Sequence, residues 1–502
     1  MIRPTPCALG RRRAALAFVA LCGLGALDHA ALGQAFDTPP LPAPPRPLAI
    51  ATPTEQRLPN GLRVVLAERP GVRLVTAQLL VLSGSEVDPP KRAGLASLTA
   101  GLLTKGTRRH SASAQARAAE SLGGSLDSGA GWNQSQVSIT VTVSQLDPAL
   151  ALLGDAAMRP AFAQAELERL RAQALDGLKI AYSQPGTLAA LAADRLLFGS
   201  HPYGHPADGT PASLARITRA DLLALHSAHF RPDNAVLVLA GDIDDATALR
   251  LAARHFGAWR APRTGAATLA LALAHASASS AVPPWVAVDM SQADQAAVVV
   301  AVPLPPLGAK RATASVLNAV LGSDFSSRLN QEIRIRRGLS YGVGSQVDAR
   351  PQGGALRVMV QTRNATAAEV VGVVRAELDA LIDAPVPAAE LAARKAGLIG
   401  TFGRSVETTA GLANALRSLV VAGLPVAELP GRIEALSAVT AEALQDFAAA
   451  HLGASGQRVV VAGESAEFAA PLQAQARAQT RAFVSVRPAS LGVEPDAAWL
   501  AP

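Results

Sequence analysis

The sequence predicts an α+β fold of two homologous domains, each an antiparallel-rich sheet covered by helices, and three observations carry that expectation. Val137, Ile139, Val141 and Val143 alternate with Ser138, Thr140 and Thr142, the period of two that marks a strand with one buried face. Residues 94–107 (GLASLTAGLLTKGT) instead place Leu95, Leu98, Leu102 and Leu103 at helical spacing, with Gly106 as a stop. The order of such segments then repeats. Thr218, His229, Ala240 and Gly241 match Thr440, His451, Ala462 and Gly463 at a constant offset of 222, and Lys91-Arg92-Ala93 recurs as Lys310-Arg311-Ala312 at an offset of 219. A chain of 502 residues with 49% hydrophobic and 17% charged residues has room for at least two large cores. With aromatics at only 4%, Ala, Leu and Val must fill them.

Residues 1–35 read as a secretory signal peptide. Arg11, Arg12 and Arg13 form the basic region, residues 14–27 the apolar core, and Gly33-Gln34-Ala35 a small-residue cleavage point. Fourteen apolar residues are too few for a permanent membrane span, so none is expected after cleavage. The expected location is therefore the periplasm or another exported compartment. Cys7 and Cys22 both lie in this segment, which leaves the mature chain neither a disulfide nor a thiolate metal site. The segment holds Arg3, Arg11, Arg12 and Arg13 against Asp28, and losing this net +3 lowers the net charge from +7 to +4. That balance, with no arginine cluster interleaved with aromatics, argues against nucleic acid as a partner.

In order, a proline-dense arm (36–54) precedes the first domain (55–261). Segments 62–66 and 72–82 read as strands, 94–107 and 113–122 as helices, and 136–143 as a strand. Helices dominate 146–197, followed by the loop HPYGHPADGT (201–210), a helix over 219–229 and a strand over 235–240. An Ala/Ser/Thr-rich stretch (262–284) reads as a linker, although Leu269-Ala-Leu-Ala-Leu273 has strand-like alternation. The second domain (285–465) starts the order again from Trp285. A tail (466–502) holds an Ala/Gln/Arg helix and a loose, proline-punctuated end.

The stretch 94–107 resembles the zinc helix of the insulinase/pitrilysin family of inverted zinc peptidases, which reads G-x-A-H-x-x-E-H-x-x-x-K-G-T. Gly94, Ala96, Lys105, Gly106 and Thr107 keep that frame, whereas Ser97 and Gly101 stand at the two histidine positions and Ala100 at the glutamate. An inverted zinc site needs two imidazoles on consecutive helical turns and a carboxylate to take a proton from metal-bound water. Ser97, Ala100 and Gly101 supply none of these. The family's third ligand would fall near residues 175–178, where the sole carboxylate is Asp176, and no H-x-x-E-H occurs elsewhere. No metal is therefore expected in this chain. His226 and His229, three apart on a helix, read as packing or capping residues, as do His201 and His205 in a loop that resembles the family's H-P-Y-G loop outside its metal site.

The resemblance covers both halves and implies two domains arranged as a clam shell. In the second half, Arg334-Ile-Arg-Arg-Gly-Leu-Ser-Tyr341 resembles the family's R-x-x-x-G-L-x-Y element. That element implies a guanidinium and a phenol that contact substrate and steady the developing oxyanion, here Arg334 and Tyr341. Residues 321–329 (LGSDFSSRL) resemble a family loop ending in S-R-L, which makes Arg328 a substrate-binding candidate. Peptides bind family members by adding a strand to a sheet edge; the strand 136–143, with Asn133 just before it, is the candidate edge here. The expectation is a zinc-less subunit that contributes Arg334 and Tyr341 to a partner. The partner would be a zinc-bearing homologous subunit, the substrate a peptide or unfolded protein, and the zinc would reside in the partner. The alternative is a non-enzymatic periplasmic peptide-binding or scaffold protein.

Overall fold

In the computed structural model, which describes residues 50–260 and 284–487, strands assemble into two six-stranded sheets. The stretch expected to be a signal peptide, most of the proline-dense arm, nearly all of the stretch expected to be a linker and the end of the tail lie outside the described residues. The first sheet holds β1 (Thr54–Arg57), β2 (Arg63–Glu68), β3 (Leu74–Val81), β4 (Asp127–Ala130), β5 (Ser135–Thr142) and β6 (Ala235–Gly241), in the order β1-β2-β6-β3-β5-β4. The second holds β7 (Trp285–Asp289), β8 (Ala296–Leu304), β9 (Val343–Asp348), β10 (Gly354–Thr362), β11 (Arg458–Gly463) and β12 (Phe483–Val486), in the order β12-β7-β11-β8-β10-β9. Apart from the β1 and β12 edges, the two orders correspond strand for strand. The corresponding pairs β2 with β6 and β7 with β11 are both parallel, and β6 and β11 are each antiparallel to their next neighbours, β3 and β8. The residues matched at offset 222 occupy equivalent places. Thr218 and Thr440 each cap the start of a helix, Arg219–His229 and Ala441–His451, that leads into β6 and β11.

Two departures from the sequence expectation sit at sheet edges. Residues 54–57, at the boundary of the arm and the first domain and not among the expected strands, pair with β2 as a short edge strand. Residues 483–486, expected to be loose tail, run parallel to β7 and extend the second sheet. Residues 54–57 (TEQR) carry no apolar residue and 483–486 (FVSV) only a short alternation, so pairing with a neighbour decides their state.

Each sheet is buried on both faces. Ala235, Leu237 and Leu239 of β6 face a core built with the first half's own helices, while Val236, Val238 and Ala240 face the other way. The covering on that second face comes from across the chain. Leu412, Ala413, Leu416 and Val420 of the helix Thr409–Val421 close it. Reciprocally, Leu188, Ala189, Ala192 and Leu196 of the helix Pro185–Phe198 cover Val286, Val299 and Val460 of the second sheet. The two exchanged helices start 224 residues apart, as do the long helices before them, Gln164–Tyr182 and Ala388–Ser405. Polar contacts fix the seam: Thr76 bonds Thr409 between hydroxyls at 2.8 Å, and Arg417 donates to Gln136 at 2.7 Å.

A second clamp closes the junction. The Arg350 guanidinium, past the end of β9, lies 4.3 Å from the ring centre of Trp132, 4.6 Å from Tyr203 and 5.0 Å from Phe198. It donates to Asp348, which also accepts from Arg357, and Arg357 in turn pairs with Asp194 of the helix Pro185–Phe198. A buried cation is thus held by three aromatic faces and a carboxylate network that spans the two halves.

Leu416 is fully buried against the opposite sheet, so Leu416→Ala should cost about 2–5 kcal/mol of stability by loss of burial plus a cavity. Because the helix it sits on closes the other half's sheet, chemical denaturation followed by fluorescence and by circular dichroism should still give one coincident transition. Separate transitions for the two halves would show that the exchange does not couple them.

Candidate functional site

The helix Leu95–Leu102 is seated by what precedes it. Gly94 caps it at φ +91°, and a Cβ there would lie 2.8 Å from the Asp208 carbonyl oxygen, so the position demands glycine. The backbone N–H groups of Gly94 and Ala96 both donate to the Asp88 carboxylate at 2.9 Å. Past the helix, Gly106 takes φ +106° and donates to Gln115, while the Thr107 hydroxyl accepts from the amides of Arg109 and His110. The retained Gly94, Ala96, Gly106 and Thr107 therefore serve the turn geometry at the two ends of the helix.

The chemical positions between them are filled differently. Ser97 donates to Asp208 at 3.1 Å, and Ala100 is fully buried. A Cβ on Gly101 would already lie 3.0 Å from Leu170 Cδ2, so a leucine occupies the space a second imidazole would need. Asp176 pairs with Lys179 on the solvent side at 2.9 Å. Among the described residues no group of three His, Cys, Asp or Glu side chains converges. This donor set does not fit zinc, which requires nitrogen, sulfur or carboxylate ligands in tetrahedral array.

The histidines are engaged elsewhere. His226 Nε2 donates to the Ala157 carbonyl at 2.8 Å and its ring stacks on Phe230, while His229 bonds the Ser83 hydroxyl at 2.9 Å. Burial holds both below the usual imidazole range, hence neutral. His201 accepts from the Tyr203 amide within the loop that carries the aromatic clamp.

In the second half, residues 330–336 form a widened helical turn that Leu329, Ile333 and Leu339 anchor in the core. Its outer side is different in kind. The Arg334 guanidinium lies between two rings, 4.8 Å from the centre of Phe325 and 4.6 Å from that of Tyr341. Phe325 is 63% exposed, Tyr341 88%, and Ile335 beside them 53%. The structure therefore brings Arg334 and Tyr341 together and adds Phe325, a residue sequence reasoning passed over although it lies in the 321–329 loop. Arg336 and Arg337 fold back onto Glu332.

The structure shows what two other candidates contact and corrects the expected edge strand. Arg328 is held by Glu390 of the helix Ala388–Ser405 through two hydrogen bonds of 3.0 and 2.8 Å. Asn133 exchanges hydrogen bonds with the Tyr203 hydroxyl at 2.8 and 3.0 Å, inside the clamp around Arg350. The strand 136–143 is not the outermost of its sheet: β5 pairs with β3 along its whole length, and β4 covers its residues 135–138 on the other side. Its clean alternation reports burial of one face and is silent on its neighbours. In the second sheet the outermost strand on the side of β10 is β9, which begins two residues after Tyr341.

Beside the degenerate helix two buried acids stand close together. Burial pushes Glu86 up to about 7 and Asp88 up to about 8, against hydrogen bonds from Gly84 and from Ala96 and Gly94 that pull the other way. The folded chain thus keeps protons that the unfolded chain releases above the ordinary carboxylate range, and stability falls as pH rises toward 8. Glu86→Gln, which retains an acceptor for the Gly84 amide, should flatten that fall and raise stability at pH 8 by on the order of 2 kcal/mol. Melting temperatures of both proteins between pH 5 and 8 check this; parallel curves would contradict it.

Two family models match the chain: Insulinase (Peptidase family M16) over residues 63–196 and Peptidase M16 inactive domain over residues 216–398. An uncharacterized zinc protease of Mycobacterium tuberculosis is 30% identical over 369 residues, 72% of this chain and 82% of that protein. The crystal structure of a peptidase M16 inactive domain from Pseudomonas fluorescens superposes with a TM-score of 0.76 at 25% identity, covering 82% of this chain and 98% of that one. A protease from Helicobacter pylori shares the fold at TM-score 0.76 and 17% identity, over 83% of this chain and all of the other. The chain belongs to the insulinase family of peptidases, M16, as a member whose zinc positions carry no zinc ligands.

Proposed function

We propose that this chain is a non-catalytic subunit that pairs with a zinc-bearing insulinase-type homologue in the periplasm, where a cleavable signal peptide delivers it. One observation carries the reading: the zinc helix has lost every ligand and its space is filled by Leu170, while Arg334, Tyr341 and Phe325 form an exposed cationic-aromatic surface. A solvent-exposed tyrosine and phenylalanine stacked on an arginine are the residue types that anchor protein interfaces. The guanidinium and the phenol are donors suited to a peptide carbonyl that gains negative charge in the partner's site. The backbone of β9, which carries no strand on its outer side among the described residues, offers such a peptide an edge to pair with.

A zinc-bearing homologue should co-purify with the native chain, and the pair should hydrolyse unfolded peptides. Arg334→Ala should lower kcat/KM of the pair by roughly tenfold or more, whereas Tyr341→Phe keeps the stacking and removes only the hydroxyl, separating transition-state donation from assembly. If no homologue co-purifies and the chain alone retains peptides, the scaffold alternative replaces this reading.

A further inference from the structure

A cavity of about 630 Å³ lies between the exchanged helix Thr409–Val421 and the second-half helices Arg311–Asn318, Ala388–Ser405 and Arg432–Ser437. The exchanged helix works on two sides. Leu412, Leu416 and Val420 seal the first sheet, while Gly411, Ala415 and Leu419, one turn apart, line the cavity together with Leu429. This size and apolar wall match pockets that take small molecules.

Two arginines line it, Arg311 and Arg432. Arg432 donates to the Ser315 hydroxyl at 3.1 Å, and the Arg311 guanidinium makes no hydrogen bond or ion pair among the described residues. Glu428 is the one carboxylate among the described residues of the lining, and its attraction reaches Arg311 without contact. Burial depresses both guanidiniums, and the charge on Arg311 adds to the depression at Arg432. Two mutually repelling cations thus share a half-buried apolar space with one acid.

The first half shows what would otherwise neutralise the site. Arg92, the counterpart of Arg311 at offset 219, pairs with Asp221 at 3.1 Å. At offset 222 the counterpart of Asp221 is Ala443. The second half keeps the arginine and lacks the acid, so positive charge stands without its match beside an apolar wall.

We propose that this cavity binds a small anionic amphiphile, its carboxylate or phosphate head between Arg311 and Arg432 and its apolar tail along Ala415, Leu419 and Leu429. Arginine suits either head because its planar fork matches both oxyanions. The test is calorimetric titration of the full chain with decanoate, decyl phosphate and 1-decanol, each below its aggregation limit. One equivalent of at least one anion should bind, and the tighter of the two identifies the head. Arg311→Ala should weaken that binding at least tenfold, and 1-decanol should bind at least tenfold more weakly than the preferred anion. Ala415→Trp, which fills the cavity and leaves both arginines in place, should abolish binding, and circular dichroism checks that each variant folds. Failure of both anions to bind, equal binding of 1-decanol, or binding untouched by both substitutions would overturn the proposal.

Discussion

Each sheet here has two apolar faces, and its own half covers only one. The remaining face is closed by a helix from the other half, so neither half can finish its core alone. Without Leu412, Leu416 and Val420, the side chains of Val236, Val238 and Ala240 would meet water. Val299 and Val460 depend in the same way on Leu188 and Leu196 of the reciprocal helix. Between those leucines Ala192 is fully buried, and its small side chain lets the helix sit close to the sheet. The clamp around Arg350 belongs to the same logic, since it ties the end of β9 to the helix Pro185–Phe198 and its following loop.

That constraint accounts for what the degenerate helix has kept and lost. Gly94, Gly106 and the Asp88 carboxylate hold Leu95–Leu102 in place against β4 and the helix Arg219–His229, and any change there would disturb the first core. Ser97, Ala100 and Gly101 keep the packing and offer no zinc ligand: Ser97 bonds Asp208 and Ala100 is fully buried. Leu170 packs over Gly101, and the helix persists as a structural element. The Arg334 surface carries the opposite signature, because its exposed rings contribute little to the core beneath them.

Most elements were legible in the sequence because their patterns report burial. The helix predicted over 219–229 is Arg219–His229, and the strand predicted over 235–240 is Ala235–Gly241. The Arg334–Tyr341 run was legible through its motif, whereas the share of Phe325 in it was not. What stayed hidden depends on partners distant in sequence. β12 exists because β7 offers an edge, residues 135–138 of β5 are covered because β4 pairs outside them, and Arg328 pairs with Glu390, 62 residues away. The helix exchange was hidden for the same reason: Leu416 and Leu196 look like ordinary core leucines, and nothing local says which sheet they cover.

The most direct test of the central claim is the metal content and peptide hydrolysis of the purified chain alone. The account predicts no stoichiometric zinc and no hydrolysis, with or without added zinc. One tightly bound zinc per chain, with hydrolysis that a chelator abolishes and zinc restores, would contradict it.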